Sequence, residues 1–190
     1  MVRTTPAGGE TAAIDTIVLA FAADPVARWF WPGAHDYLTI MPRFTRAFGG
    51  AAFSHGGAHC TEDYGGAALW LPPNVHFDEK ALGDVLESAV SESIRGDLFA
   101  AFEQMEQYHP AEPHWYLPVI GVDPAYQRRG YGGALMKHAL EQCDRDHAPA
   151  YLESTNPRNV SLYQRHGFEA LCTIQKGTSP PVVPMLRKAR

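Results

Sequence analysis

Cysteine is scarce in this sequence and unpaired. Cys60, Cys143 and Cys172 are the only three, with no Cys-x-x-Cys pair among them. That excludes a disulfide framework and predicts reduced thiols in a cytoplasmic protein. None of the three stands in a nucleophile motif. A run of ~18 apolar residues is missing too, so no segment is expected to span a membrane. Near the N-terminus Arg3 precedes an alanine-rich stretch and Ala20-Phe21-Ala22 resembles a signal-peptidase site. Glu10 and Asp15, however, interrupt the stretch that a leader keeps uncharged, and Ile14, Ile17, Val18 and Phe21 share one helical face instead. Positive charge is in deficit. The 16 Lys and Arg against 21 Asp and Glu give a net −5, which leaves no basic face for nucleic acid. His55, His59 and Cys60 lie close together but have no second ligand pair at zinc-site spacing, so no metal is expected.

What is present is apolar enough to fold. Hydrophobic residues make up 45% and charged residues 19%, which excludes disorder. The 190 residues suit one domain, residues 1–190, with a sizeable core. The patterning predicts a first strand at Val2 to Thr5 and a helix over Glu10 to Ala23, ended at Asp24-Pro25. A second helix is predicted over Tyr37 to Phe48, with Pro42 placed in its first turn if it starts late. A hairpin follows, Ala58 to Thr61 and Ala67 to Leu71, around Glu62-Asp63-Tyr64-Gly65-Gly66. Residues 78–107 read as helix, broken near Gly96. Trp115 to Val122 is a strand stopped by Asp123-Pro124, Gly132 to Asp146 a helix, Tyr151 to Glu153 a short strand and Pro157 to His166 a helix capped by Gly167. Phe168 to Ile174 and Val182 to Leu186 form a closing strand pair. The class is α+β, one mixed, mostly antiparallel sheet flanked by helices.

The informative stretch runs from Val119 to Leu135. A strand ends, a glycine-rich turn follows and a helix begins. Glycine lets backbone approach a ligand closely, and free N–H groups at a helix start attract anions. Arg128 and Arg129 add charge at the same place. The alternative is a tight strand-to-helix turn with solvated arginines. Two other phosphate loops are excluded. Gly130-x-Gly132 lacks the third glycine of the dinucleotide fingerprint, because that position is Leu135, and no Gly-Lys-Ser/Thr is present.

Gln127-Arg128-Arg129-Gly130-Tyr131-Gly132 resembles the acetyl-CoA signature of the GNAT acetyltransferases, Gln/Arg-x-x-Gly-x-Gly/Ala after a strand. A second block, Asn156 to Phe168, is similar to the superfamily's asparagine, six residues, tyrosine, three residues, Gly-Phe. A looser likeness to the puromycin N-acetyltransferase group runs over most of the chain: Ala20-Phe21 then Asp24-Pro25, the strand Ala67-Ala68-Leu69-Trp70, Met105 before His109-Pro110, and His114-Trp115-Tyr116-Leu117. The loop departs from that likeness at Arg128, where the similar enzymes often carry glycine.

The resemblance implies a sheet that splays at an acetyl-CoA cleft, with acetyl-CoA as cosubstrate and a small-molecule amine as acceptor. Protein or peptide N-acetylation and a catalytically silent CoA-binding sensor are the alternatives. It implies that Gln127, Arg128, Arg129, Gly130, Tyr131, Gly132, Gly133 and Ala134 cradle the pyrophosphate. Ile120 and Gly121 line the pantetheine arm, and the Val122 N–H serves the oxyanion. Asn156 hydrogen-bonds CoA, although asparagine there also suits a helix cap. Tyr163 is the general acid, against the alternative of a packing tyrosine. For the base Glu153 ranks ahead of His114, and either is otherwise an edge residue touching solvent. Trp29, Phe30 and Trp31 are core residues or a wall for an aromatic acceptor.

Overall fold

The protein is described by a computed structural model that covers residues 1–190. The middle of the sheet follows from sequence runs that are apolar on both sides. β3 (Gly66–Leu71) is buried at every position, and so is β2 (Ala58–Thr61). The two form the expected hairpin, Ala58 opposite Leu69. β1 (Val2–Thr4) adds to the outside of β2, and β4 (Trp115–Val122) to the other side of β3. β5 (Ala150–Ser154), β7 (Val183–Arg187) and β6 (Glu169–Ala170) complete a seven-stranded sheet in the order β1-β2-β3-β4-β5-β7-β6. All neighbours are antiparallel except β4 and β5.

Each face of the sheet carries a core. On one side α1 (Glu10–Ala20) and α3 (Ala34–Gly49) bury Ile14, Ile17, Tyr37 and Met41 against Leu69, Tyr116 and Val119. On the other, α7 (Tyr131–Arg145) and α8 (Val160–Arg165) bury Leu135, Met136, Leu140 and Tyr163 with Trp70, Leu117 and Leu152. Gly121 is where α1 meets the sheet. A Cβ built there lies 2.5 Å from the Ala20 Cβ and 3.4 Å from the Ile17 Cα, atoms with no rotamer to move. Gly121→Ala should therefore lower stability by about 1–3 kcal/mol, the usual cost of overpacking. An unchanged urea midpoint would show instead that α1 slides freely.

Several boundaries differ from the sequence reading. α1 stops at Ala20, three residues short of the expected Ala23, and Asp24-Pro25 instead starts α2 (Pro25–Phe30): the Asp24 carboxylate accepts from the Val26 and Ala27 N–H groups at 3.0 and 3.1 Å. α3 starts at Ala34 and runs through Pro42. The lost hydrogen bond is outweighed by burying Tyr37, Met41 and Thr45 in one stripe. The helical stretch over 78–107 breaks at Val90-Ser91, between α5 (Glu79–Ala89) and α6 (Glu92–Glu106), because Ser91 caps the second helix; Gly96 lies inside it. α4 (Ala51–Ser54) is a single short turn. Residues Pro157–Asn159 form a 3-10 turn ahead of α8. The closing pair is short, with only Glu169 and Ala170 in β6 and an isolated bridge from Ile174 to Val182.

His59 is a buried polar residue within β2. Its ring packs 4.7 Å from that of His138 and its Nδ1 has no hydrogen-bond partner. Burial, then the charge of His138, pushes its pKa down to about 4. The unfolded chain takes up this proton near pH 6.5 and the folded chain near pH 4. The stability linked to neutral His59 is present above pH 6.5 and is lost as pH falls through that window, on the order of 3 kcal/mol in all. Burial lowers His114 and His166 as well, with the same sign. Denaturant unfolding at pH 7 and pH 4.5 should show this slope, and His59→Gln should flatten it.

Candidate functional site

The site begins where β4 and β5 part. Their parallel pairing covers Trp115–Leu117 against Ala150–Leu152 and goes no further. The next residue of β4 is Pro118, which has no N–H to give to a ladder. At the same point β4 gains one residue over β3, since Leu69 pairs Val119 but Leu71 pairs Tyr116. Such a bulge bends a strand and reverses which groups face which neighbour. Beyond it the Asp123 N–H bonds the Gly65 carbonyl at 3.0 Å. By antiparallel alternation Gly121 and Val119 then turn their N–H groups to β3, while Ile120 and Val122 turn theirs to the side that β5 has left. The result is a cleft of about 760 Å³, lined by Ile120, Gly121 and Val122 along one wall and by Leu152, Glu153 and Tyr163 on the other.

One end of the cleft is built for an anion. The first helical bond of α7 runs from the Ala134 N–H to the Gly130 carbonyl, at 3.0 Å. The N–H groups of Tyr131, Gly132 and Gly133 therefore have no acceptor within the helix, and all three residues line the cleft. Gly130 holds φ +83° and Arg128 φ +63°. A left-handed non-glycine residue costs about 1–2 kcal/mol, which is the physical reason a glycine suits position 128. The Gln127 amide donates to the Val122 carbonyl at 3.2 Å and ties the loop to the strand end. Asp63 accepts from the Tyr131 hydroxyl at 2.7 Å. Hydrogen bonds from Thr61, then Tyr131 and the Gly65 N–H, hold the Asp63 carboxyl down at about 2. Arg128, Arg158 and Arg165 line this region. Arg129 and Ala134 do not line it: the Arg129 guanidinium lies 5.2 Å from the Tyr126 ring centre, and Ala134 is exposed. Asn156 lines the cleft while its side-chain oxygen Oδ1 accepts from the Arg158 N–H at 3.1 Å, so the cap and the cleft position coexist.

The other end is acidic and aromatic. Tyr163, on α8, lines the cleft with its ring 6.2 Å from that of Phe168. Burial, then the charge of Asp24, raises its pKa well above that of a free phenol. Glu153, on β5, accepts from the Tyr116 hydroxyl at 2.7 Å through Oε2, and its Oε1 stands 3.7 Å from Nδ1 of His109. His114 lies behind His109, with 3.1 Å between their Nε2 atoms. Neither imidazole lines the cleft, and His109 meets it only through Glu153. One cleft residue, Asp24, was not singled out as a site residue from sequence. Asp24, buried with its pKa raised by burial, lines the cleft, and its Oδ2 accepts from Thr155 Oγ1 at 2.8 Å. Asp before Pro25 is the signal that could have found it, as a helix cap. Of the aromatic triplet, Phe30 and Trp31 are core, and Trp29 donates to Thr178 at 3.2 Å. The segment after α1 reaches the cleft through Phe21, Ala23 and Asp24 instead. His55, His59 and Cys60 assemble no metal-binding group.

Comparison with known proteins agrees with this architecture. The acetyltransferase (GNAT) family model matches residues 65–168, more than half of the chain. An uncharacterised N-acetyltransferase of Schizosaccharomyces pombe is 26% identical over 172 residues, covering 80% of this chain and 68% of that protein. The ribosomal protein bS18-alanine N-acetyltransferase of Escherichia coli is 38% identical over 64 residues, 32% of this chain and 43% of that protein. Among solved structures, arylalkylamine N-acetyltransferase 2 of Aedes aegypti superposes with a TM-score of 0.69 at 14% identity, covering 100% of this chain and 99% of that one. The overall fold is thus one already known, and the chain belongs to the GNAT family of acetyltransferases.

Proposed function

We propose that the enzyme transfers the acetyl group of acetyl-CoA to a primary amine of a small molecule, by direct attack of the amine on the thioester. The observation that carries this reading is the parted β4–β5 seam, which joins a cationic helix start at one end to Glu153, Asp24 and Tyr163 at the other. The free N–H groups of Tyr131 to Gly133 and the guanidinium of Arg128 suit a pyrophosphate. The Ile120 and Val122 backbone suits an amide-bearing pantetheine arm. In the reaction a C–N bond forms and the C–S bond breaks. The Val122 N–H stabilises the developing oxyanion, Glu153 takes the proton from the attacking amine, and Tyr163 gives its proton to the departing thiolate.

A small acceptor is favoured by the ties across the cleft. Asp24 to Thr155 and Trp29 to Thr178 fasten α2 to the chain after β5 and to the β6–β7 connection. Asp97 of α6 holds Thr178 a second time, accepting from its N–H at 2.8 Å and its hydroxyl at 2.9 Å. Asp24 and Thr155 both line the cleft, so their bond closes part of it. Among similar structures are agmatine and arylalkylamine N-acetyltransferases, while the bS18-alanine enzyme acts on a ribosomal protein.

Thiol release should be followed over a panel of agmatine, arylalkylamines, puromycin and a peptide with an N-terminal alanine. Turnover confined to the peptide would overturn the small-amine reading. CoA binding without any turnover would leave a sensor. The cradle has its own test in Gly132→Val. A Cβ at Gly132 meets only Leu162 at 3.5 Å and Val122 at 3.8 Å, both ordinary contacts. The variant should fold and yet bind CoA at least about tenfold more weakly, a loss of ~1.4 kcal/mol, by calorimetry. Unchanged affinity would remove the cradle.

A further inference from the structure

We propose that His109 is the outlet for the proton that Glu153 collects, relaying it from the cleft to solvent while His114 holds its ring in the required tautomer. The inference rests on Glu153 as base and goes beyond it. Glu153 is poorly placed to release a proton by itself. Its side chain is 13% exposed, Oε2 is occupied by the Tyr116 hydroxyl at 2.7 Å, and Oε1 faces Nδ1 of His109 at 3.7 Å. The His109 ring packs against those of Tyr116 and Tyr151, at 5.1 and 4.7 Å between centres. Its side chain is 34% exposed, so the imidazole joins the half-buried carboxylate to the surface.

The tautomers follow from the hydrogen bonds. His114 Nδ1 lies 2.8 Å from the Glu112 carbonyl, which can only accept, so this nitrogen carries a proton. Burial holds the His114 pKa below the usual imidazole value, against the raising effect of its bond to Glu112. A neutral His114 then has its lone pair on Nε2, and the 3.1 Å contact to His109 requires a proton on the His109 Nε2. That leaves the lone pair of a neutral His109 on Nδ1, facing the Glu153 oxygen. One proton fits between the two, and a small side-chain rotation brings them within hydrogen-bond distance.

In the relay the amine N–H bond breaks and an O–H bond forms on Glu153. The O–H bond then breaks as N–H forms at His109 Nδ1, and the carboxylate is restored. The imidazolium keeps its Nε2–H bond to neutral His114, turns its Nδ1–H off the restored Glu153 carboxylate and gives that proton to a solvent base. Two features favour the transient cation. Its own backbone N–H caps α6, bonding the Met105 and Glu106 carbonyls at 3.1 and 3.2 Å, and a helix C-terminus stabilises positive charge. Glu153 supplies the counter-charge on one side. Tyr116 and Tyr151 face the ring from the sheet; burial raises the pKa of both phenols, so both remain neutral. Beyond them Cys172 lies near Tyr151 and Tyr108.

The test is chemical rescue. His109→Ala should lower kcat by about tenfold or more, within the range of a lost proton-transfer group, with CoA affinity unchanged. Its kcat should then rise in proportion to added imidazole, whereas the parent enzyme ignores imidazole. A structural role predicts loss without rescue. His109→Asn, which keeps a polar side chain and cannot carry a proton, should show the same loss and the same rescue if the alanine variant folds poorly. Full kcat in either variant, or a loss that imidazole does not touch, overturns the relay. Glu153→Gln, assayed in parallel, separates the two readings. If it alone loses kcat, the base stands and the relay falls; if it retains kcat, the base reading falls and takes the relay with it.

Discussion

Glu153→Gln is expected to lower kcat by about 10²- to 10⁴-fold, the usual reach of a lost general base. CoA affinity and Tm should remain close to those of the parent. Structural damage is a poor explanation for such a loss, because glutamine offers an oxygen to the Tyr116 hydroxyl in the place of Oε2. The only ionic contact removed is the 3.7 Å pair with His109, whose side chain is a third exposed, and exposed pairs contribute little. What the amide cannot do is accept a proton. Steady-state thiol release gives kcat, and calorimetry gives CoA affinity separately. Full kcat in a folded variant would remove Glu153 from the mechanism and turn attention to Asp24, the other carboxylate on the cleft.

The two ends of the cleft differ in how far sequence reveals them. The anion end is legible because it is local. A strand, Asp123-Pro124, two arginines, three glycines and a helix start follow each other within about fifteen residues, and the chemistry of a helix N-terminus needs nothing from elsewhere. Arg128 is legible as a departure, and its φ of +63° gives the reason. The acidic end is made by tertiary structure. Asp24 and Thr155 are 131 residues apart, and only the packing of α2 beside the end of β5 joins them. His109 lies outside both signature blocks, in the looser His109-Pro110 likeness alone. It comes to Glu153 because α6 ends there and because β4 and β5 lie side by side up to Leu117 and Leu152. The splay itself was anticipated from resemblance; its cause, Pro118 at a one-residue bulge, can be read only once the register with β3 is known. Local signals were misjudged where two of them competed. Asp24-Pro25 reads as the stop of one helix but is the start of the next, α1 having ended at Ala20, and at Ser91 a cap outweighs the glycine five residues later.

Tyr163→Phe should lower kcat by about 10²- to 10⁴-fold, as for the loss of a general acid, and leave the protein folded with normal CoA affinity. The ring stays, so the contact with Phe168 and the packing beneath α8 are kept. Only the hydroxyl is lost. Its raised pKa, due to burial and then to Asp24, keeps the proton on the oxygen throughout the neutral range, so the acid is always loaded. The same shift makes the phenol a weaker donor than the thiol it creates, whose pKa is ~8.5. With Tyr163 as the proposed acid, proton transfer would therefore accompany cleavage of the C–S bond rather than precede it. That coupling sets the expected size of the effect. The CoA thiolate is a fairly good leaving group, so a water standing in for the hydroxyl would bring the loss toward the lower end. A solvent isotope effect on kcat, present in the parent and altered in the variant, reports the coupled transfer directly. A packing tyrosine predicts near-normal kcat with the ring retained, and that outcome would leave thiolate departure to another donor on the cleft wall.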